Sequence, residues 1–111
     1  MTAEALAAFF LLLPVAVCAA EPADPTPERQ HQLVRMVRQD CGSCHGLTLK
    51  GGLGPSLLPE ALREKPPKSL QSTVFLGRPG TPMPPWSRFL TEAEAGWIVR
   101  QLMQGFPEEK R

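Results

Sequence analysis

The chain has no marked excess of charge and no pattern typical of a β-sheet or a repeat protein. Its 12 Lys and Arg stand against 11 Asp and Glu, which is too balanced for a nucleic-acid-binding protein with a basic stripe. No segment alternates convincingly between apolar and polar residues, and no internal repeat or low-complexity tract is visible. We therefore expect an all-α protein without a nucleic-acid partner.

The sequence also lacks an apolar run long enough to span a bilayer comfortably, which takes roughly 20 residues. The longest such run, Ala5–Ala20, ends in small residues and is followed by polar sequence. This pattern predicts a signal peptide over residues 1–20, export to the periplasm, and no membrane span in the mature form. Because no Lys or Arg precedes the run, a retained anchor stays an alternative. Lipidation of Cys18 is disfavoured because Val17 is not small.

Cysteine is scarce, and its placement is informative. Removal of residues 1–20 leaves Cys41 and Cys44 as the only thiols in an oxidising compartment. They belong to a C-x-x-C-H motif that ends at His45 and is typical of covalent haem attachment. Residues three and four apart share one face of a helix, so both thiols and the imidazole can point at one macrocycle. The motif predicts one haem c with its iron, attached through Cys41 and Cys44, with His45 as an iron ligand.

Other uses of these residues fit less well. A thioredoxin-like cysteine pair expects a βαβ setting, for which the chain has no strands. A zinc site needs four ligands, and beyond the motif only the distant His31, expected to be a solvated surface residue, or a carboxylate remains. The glycine-rich segment Gly51–Gly54 lacks the Lys-Ser/Thr ending of a phosphate loop, which excludes nucleotide binding.

Helix signals surround the motif. Thr26 followed by Pro27 predicts the start of a helix that runs into Cys41. A capping box from Thr91 to Glu94 predicts the last helix. The expected organisation is a signal peptide (1–20), a flexible lead-in (21–26), one domain (27–106) with further short helices at 59–64 and 67–76, and a C-terminal tail (107–111).

A second iron ligand is expected from the proline-dense segment 78–86, which can be neither a helix nor a central strand. Met83 lies there between Pro82 and Pro84, and a stiff loop suits a weak, soft thioether ligand. Met36 and Met103 lie on helical stripes and are expected to be core residues. Pairing of a histidine with a methionine on haem iron is the recognised pairing for electron transfer, and it raises the reduction potential.

The C-x-x-C-H motif, Gly52-Leu53-Gly54-Pro55, Thr81-Pro82-Met83-Pro84 and the capped last helix, in this order, resemble the small single-haem class I cytochromes c. The resemblance covers about residues 27–106. It implies a cytochrome c fold in which crossed first and last helices enclose one covalent haem. It also implies that His45 is the proximal ligand, that Met83 is the distal ligand, and that Pro55 positions a carbonyl accepting the Nδ1–H of His45.

The resemblance carries further expectations for residues around the haem. Arg78 and Trp86 flank residues 79–85, the loop that carries Met83 and is called the methionine loop below. Both are expected to contact a haem propionate, although a lid or surface role is an alternative for both. Gly96 is expected to let the first and last helices approach closely. Trp97 is expected to fill the space where Gln101 replaces a common aromatic residue. An apolar haem pocket is expected from Leu33, Leu57, Leu58, Leu70, Phe75, Ile98 and Leu102.

These observations together predict a monomeric periplasmic cytochrome c, not an enzyme, that carries one electron between transient redox partners. The short exported chain resembles the monohaem cytochromes encoded beside haem-d-containing nitrite reductase, so electron donation to that enzyme in denitrification is expected. An accessory or maturation role for a periplasmic reductase is the alternative, or a ligand-binding haem protein if Met83 is not a ligand. The nearly uncharged sequence around the haem edge predicts a small, apolar docking interface.

Overall fold

The computed structural model describes residues 11–19 and 22–109, and no strand occurs among them. The elements are α1 (Pro27–Met36), a π-helical segment (Val37–Cys41), α2 (Gly42–His45), α3 (Pro59–Leu62), α4 (Pro67–Leu76) and α5 (Glu92–Gln104). Within the described ranges, no helix combines the length and the hydropathy needed to cross a membrane. The predicted all-α class is confirmed. Part of the predicted signal peptide lies outside the described residues, and residues 11–19 are exposed and irregular.

The first helix begins where the sequence predicts. The Thr26 side chain accepts a hydrogen bond from the Arg29 amide at 3.3 Å, and Pro27 occupies the first helical position. The chain then stays helical through the π-helical segment into α2, so that one continuous rod ends at His45. Since a π turn holds more residues than an α turn, this segment rotates the C-x-x-C-H motif relative to the apolar face of α1.

The last helix is capped at both ends as predicted. The Thr91 hydroxyl accepts from the Glu94 amide at 3.1 Å, and the Glu94 carboxylate accepts from the Thr91 amide at 2.9 Å. This reciprocal pair satisfies two amides that the helix itself leaves free. Gly105, with φ of 99°, ends the helix in a conformation that favours glycine.

The core lies where α1 and the π-helical segment meet α5. Leu33 and Val37 are completely buried there, and they share one apolar cluster with Trp97, Ile98 and Leu102. The burial of Trp97 agrees with its expected packing role, while Gln101 is half-buried. Each of these large side chains contributes about 1.5–3 kcal/mol of transfer free energy when fully buried. Burial of these side chains in one cluster joins the helical rod to the last helix.

The expectation for Gly96 is wrong. A Cβ atom at this position would lie 3.2 Å from the side-chain amide of Gln71, which belongs to α4. Gln71 donates a hydrogen bond to the Glu92 carbonyl at 2.7 Å. Gly96 thus makes room for α4, the helix against which α5 packs most extensively, and not for α1.

The segment after α5 folds back onto the first helical rod. The Arg38 guanidinium donates to the Phe106 carbonyl at 2.8 Å and to the Pro107 carbonyl at 2.9 Å. It also lies over the Phe106 ring, 5.6 Å from the ring centroid. Arg35 pairs with Glu109 at 3.3 Å. Residues 106–109 of the C-terminal segment are therefore fixed against the helix that carries the cysteines.

An ion pair between Arg29 and Glu94 joins α1 to the start of α5, and its removal should weaken the fold. The Arg29 hydrogen bond lowers the pKa of Glu94 below its ordinary value of 4.5. We expect Glu94→Gln, which can still cap Thr91, to lower the free energy of unfolding at pH 7 by about 0.5–1 kcal/mol. Because the pKa is lowered on folding, this contribution is present above pH 4.5 and fades as the pH falls below it.

Urea denaturation of the holoprotein at pH 7 and pH 4 checks this prediction. Glu92→Gln is the matched control, since Glu92 lies in the same first turn of α5 but makes no ion pair with any residue between 22 and 109. An equal loss in both variants, or a Glu94→Gln loss that does not shrink on acidification, would contradict the assigned role of the pair.

Candidate haem site

A cavity of about 750 Å³ opens between the helical rod, α4, α5 and the methionine loop. Its volume lies in the range of pockets that enclose cofactors. The walls are mostly apolar, and four of the predicted lining residues are present: Leu57, Leu70, Ile98 and Leu102. Three predicted lining residues are not. Leu33 and Leu58 pack in or against the helical core, and Phe75 is half-buried outside the cavity, while Val74 lines the α4 wall.

His45 lines the cavity with a fixed ring. Its Nδ1 lies 2.7 Å from the Pro55 carbonyl oxygen, a contact in which the ring nitrogen must donate because a carbonyl only accepts. This bond places the proton on Nδ1 and leaves the lone pair of Nε2 for a metal ion. The hydrogen bond implied by the resemblance is thus part of the structure.

The loop after α2 holds the end of the helix and the imidazole together. The Gly54 amide donates to the Cys44 carbonyl at 2.8 Å, and the Gly51 amide donates to the His45 carbonyl at 2.8 Å. A Cβ atom on Gly54 would lie 2.7 Å from Cε1 and 2.8 Å from Nδ1 of His45. Only glycine lets the loop approach the ring this closely.

Cys41 and Cys44 both line the cavity and are half-buried. Cys41 ends the π-helical segment and Cys44 lies in α2, so the rod brings both sulfur atoms to the wall that also carries His45. Burial, and secondarily the negative charge of Asp40, raises the pKa of the Cys41 thiol to about 11. In the haem-free chain this thiol is therefore neutral at pH 7.

Met83 lines the same cavity from the proline-dense loop. Its carbonyl accepts from the Arg78 amide at 3.1 Å, and its amide donates to the Thr81 hydroxyl at 3.3 Å. The Thr81 hydroxyl in turn donates to the Arg78 carbonyl at 2.7 Å. These bonds close a tight turn that presents the thioether without requiring a helix or a strand.

The methionine loop is fixed to the end of α4. The Trp86 amide donates to the Val74 carbonyl at 3.2 Å, and the Ser87 amide donates to the Phe75 carbonyl at 3.1 Å. Gly77 follows α4 with φ of 70°, and a Cβ atom there would lie 2.6 Å from backbone atoms of Pro84 and Pro85. The loop backbone thus rests directly on this glycine.

Arg78 and Trp86 both line the cavity, with Arg78 exposed and Trp86 half-buried. His31 is exposed on α1 and lies away from the cavity. Two charged cavity residues, Asp40 and Lys65, were missed by the sequence reasoning. Asp40 precedes the first cysteine directly, which could have indicated it. Lys65 follows the short helix α3 and belongs to no recognisable motif, so nothing in the sequence indicated it.

The donor set and the cavity fit a covalently attached haem. Two cysteines in helical spacing, an imidazole with a free Nε2 and a thioether all line one mostly apolar space. Soft sulfur and imidazole donors suit haem iron. The apolar walls suit the macrocycle.

Comparisons with known proteins show the family of this chain. Residues 28–100 match the family described as cytochrome c oxidase, cbb3-type, subunit III. Cytochrome c55X of Pseudomonas aeruginosa is 60% identical over 81 residues, which cover 73% of this chain and 68% of that protein. The solved structure of the c-type cytochrome NirC is 59% identical, with a TM-score of 0.72 over 73% of this chain and 95% of that one.

A longer protein also contains a similar part. The structure of the dihydro-heme d1 dehydrogenase NirN in complex with DHE is 38% identical, with a TM-score of 0.59 over 69% of this chain and 16% of that chain. These likenesses confirm the predicted cytochrome c fold and the haem cofactor. The chain belongs to the family of small c-type cytochromes that includes cytochrome c55X, and it carries covalent haem c with its iron.

Proposed function

We propose that this cytochrome is a periplasmic, monomeric one-electron carrier that acts on no substrate of its own. The observation that carries the proposal is the placement of His45 and Met83 around one apolar cavity, with His45 held by the Pro55 carbonyl. Such a pair of ligands leaves no open coordination position for a substrate. The residue set therefore favours electron transfer over ligand binding or peroxidatic chemistry.

The individual residues have separate tasks in this proposal. Cys41 and Cys44 hold the cofactor by thioether bonds, His45 binds the iron through Nε2, and Met83 binds it through its sulfur. The bound haem supplies one-electron chemistry at its iron. Arg78 and Trp86, at the cavity edge, contact a propionate.

Two features of the chain keep structural change during electron transfer small. The hydrogen bond to Pro55 fixes the orientation of the His45 ring. The hydrogen bonds within the methionine loop hold the backbone of Met83 in place. Apolar walls exclude water from the iron and, together with the soft sulfur ligand, favour the reduced state and so raise the reduction potential.

The likeness to NirC supports a role in nitrite reduction, in which this chain donates electrons to a haem-d1 nitrite reductase. A second candidate is an accessory role in maturation of the haem d1 of that reductase. The likeness to part of the dihydro-heme d1 dehydrogenase favours this role. Oxidation of a dihydro-haem releases two electrons, and a monohaem carrier would accept them in two separate steps. Stopped-flow mixing with purified nitrite reductase or with the dehydrogenase separates the two roles by the direction of electron flow.

Expression with a cytochrome c maturation system tests the carrier proposal. We expect a haem-stained band on a denaturing gel, a sulfur-to-iron charge-transfer band in the oxidised spectrum, and reversible one-electron voltammetry. Intact mass should equal the chain from Glu21 plus one haem, as export with cleavage after Ala20 requires. A five-coordinate ferric spectrum, or loss of the haem into acid acetone, would contradict the proposal.

An apolar docking surface is expected near the haem edge, and its prediction can be tested at Leu53. This residue lines the cavity although its side chain is 93% exposed, and the segments around it are nearly uncharged. We expect electron transfer to nitrite reductase to depend weakly on ionic strength. Leu53→Asp should slow it by about tenfold, because a carboxylate left unpaired at an interface costs at least about 1.4 kcal/mol.

Leu76→Asp is the control for this measurement. Leu76 is 63% exposed but does not line the cavity, so the same charge placed there should change the rate by less than about twofold, as expected for a charge outside the contact. A steep fall of the wild-type rate with added salt would contradict the apolar interface, as would equal effects of the two substitutions.

A further inference from the structure

The charges along the cavity wall are distributed unevenly. Among the cavity-lining residues that the structure describes, Asp40, Lys65 and Arg78 are the charged ones. Asp40 lies next to Cys41, whereas Lys65 precedes α4 and Arg78 follows it. Neither of these two cations forms an ion pair with any residue that the structure describes. The cationic part of the cavity is therefore the α4 side, and it is without a counter-charge from residues 22–109.

Helix α4 presents a polar column between these two cations. Ser69 and Thr73 are four residues apart, so they lie on one face of the helix, and both line the cavity. The Thr73 hydroxyl donates to the Ser69 carbonyl at 2.9 Å. No residue in the described ranges hydrogen-bonds to the Ser69 hydroxyl. Ser69 is therefore free to donate to an anion in the cavity.

Only one edge of a haem needs cations and hydrogen-bond donors around it. Its macrocycle is apolar, its two thioether carbons lie at one side, and its two propionate carboxylates lie at the opposite side. A carboxylate at the edge of an apolar cavity costs free energy unless cations and hydrogen-bond donors surround it. With Cys41 and Cys44 bonded to the thioether side, the carboxylates would lie away from the wall that carries these cysteines, and α4 is not among the elements that pack extensively against that wall.

We propose that α4 is the propionate wall of this cytochrome, with Lys65 holding one carboxylate, Arg78 the other, and Ser69 donating a hydrogen bond between them. Lys65 and Ser69 are then positioning residues for the cofactor, in addition to Arg78. This inference rests on the haem site of the proposed function. It further implies that the two cations, close to the haem, disfavour the oxidised iron and raise the reduction potential.

The experiment compares Lys65→Gln with Lys68→Gln in the matured holoprotein. Lys68 lies three residues further on, carries the same charge, is exposed, and does not line the cavity. We expect the reduction potential to fall clearly in Lys65→Gln and to change several times less in Lys68→Gln. The propionate bending modes in the resonance Raman spectrum should shift in Lys65→Gln and in Ser69→Ala only. Lys65→Arg, which keeps the cation, should retain the wild-type potential.

The assignment would be overturned if the reduction potential shifted equally in Lys65→Gln and Lys68→Gln. It would also be overturned if the propionate bending modes were unchanged in both Lys65→Gln and Ser69→Ala. If Lys65→Gln does not mature, Ser69→Ala decides: unchanged propionate modes in that variant would overturn the assignment. Failure of the proposed function has a different appearance, because the wild-type protein would then lack the sulfur-to-iron band or the covalent haem. If the wild-type protein has the spectrum of a His/Met cytochrome but Lys65→Gln and Ser69→Ala leave the potential and the propionate modes unchanged, only this inference is rejected.

Discussion

Met83→Ala should convert the cytochrome into a protein with an open iron coordination position while leaving the haem attached. Cys41, Cys44 and His45 all lie on the helical rod, so none of them depends on Met83 for its position. Loss of the thioether removes the ligand that favours reduced iron, and the reduction potential should fall. The sulfur-to-iron band should vanish, and added imidazole should bind more than about tenfold tighter, a gain of at least 1.4 kcal/mol.

Spectral titration with imidazole and voltammetry of the purified variants measure this result. Met36→Ala is the matched control, because Met36 is a second half-buried methionine that lines the cavity. It should keep the band and the weak imidazole binding of the wild type. Disappearance of the band in Met36→Ala, with its persistence in Met83→Ala, would show that Met36 at the end of α1, and not Met83, supplies the sulfur ligand.

The parts of this structure that the sequence predicted are those fixed by local rules. The Thr91–Glu94 capping box, the start at Thr26 and the end at Gly105 each depend on residues within one helical turn, and all three are present. The covalent haem was predictable for the same reason, since five consecutive residues encode it. Its confirmation came from the likeness to known cytochromes.

The parts that escaped prediction depend on contacts between distant segments. Gly96 was expected to serve α1 but meets Gln71 of α4, a choice that only the packing of three helices decides. Leu49 is 2% exposed with φ of 61°, a backbone conformation that no propensity assigns to a leucine. Lys65 lines the cavity from the connection between α3 and α4, two helices that both pack on α5, and nothing in its local sequence indicates this.

The predicted lining residue Phe75 shows the same limit within one helix. Helical periodicity places residues 70, 74 and 77 on one side, yet it gives no information on which side meets the cavity. The rotation of this helix depends on distant segments: α5 packs against it, and the amides of Trp86 and Ser87 bind the carbonyls at its end. Val74 consequently lines the haem site and Phe75 does not.

Because the methionine loop rests on Gly77, replacement of this glycine is expected to have a large effect on the binding of Met83 to the iron. In Gly77→Ala, the new Cβ atom would lie 2.6 Å from backbone atoms of Pro84 and Pro85 and 2.9 Å from the Met83 carbonyl. All three neighbours are backbone atoms of a stiff, proline-containing loop, so they must move together. We expect the loop to shift outward, the bond from Met83 to iron to weaken or break, and imidazole binding to approach that of Met83→Ala.

Gly80→Ala separates this clash from backbone strain. Gly80 has φ of 77°, close to the 70° of Gly77, but a Cβ atom there has no neighbour within 4 Å. Both substitutions place a Cβ atom at a positive φ, which costs about 1–3 kcal/mol each. The cost is expected to be larger at Gly77, whose ψ of −171° lies in a region essentially restricted to glycine, and only Gly77→Ala also pushes on Met83. Thermal unfolding should fall in both variants, whereas the sulfur-to-iron band should weaken in Gly77→Ala alone. Equal loss of the band in both would show that loop strain, and not the contact of Gly77 with the methionine segment, controls the sulfur ligand.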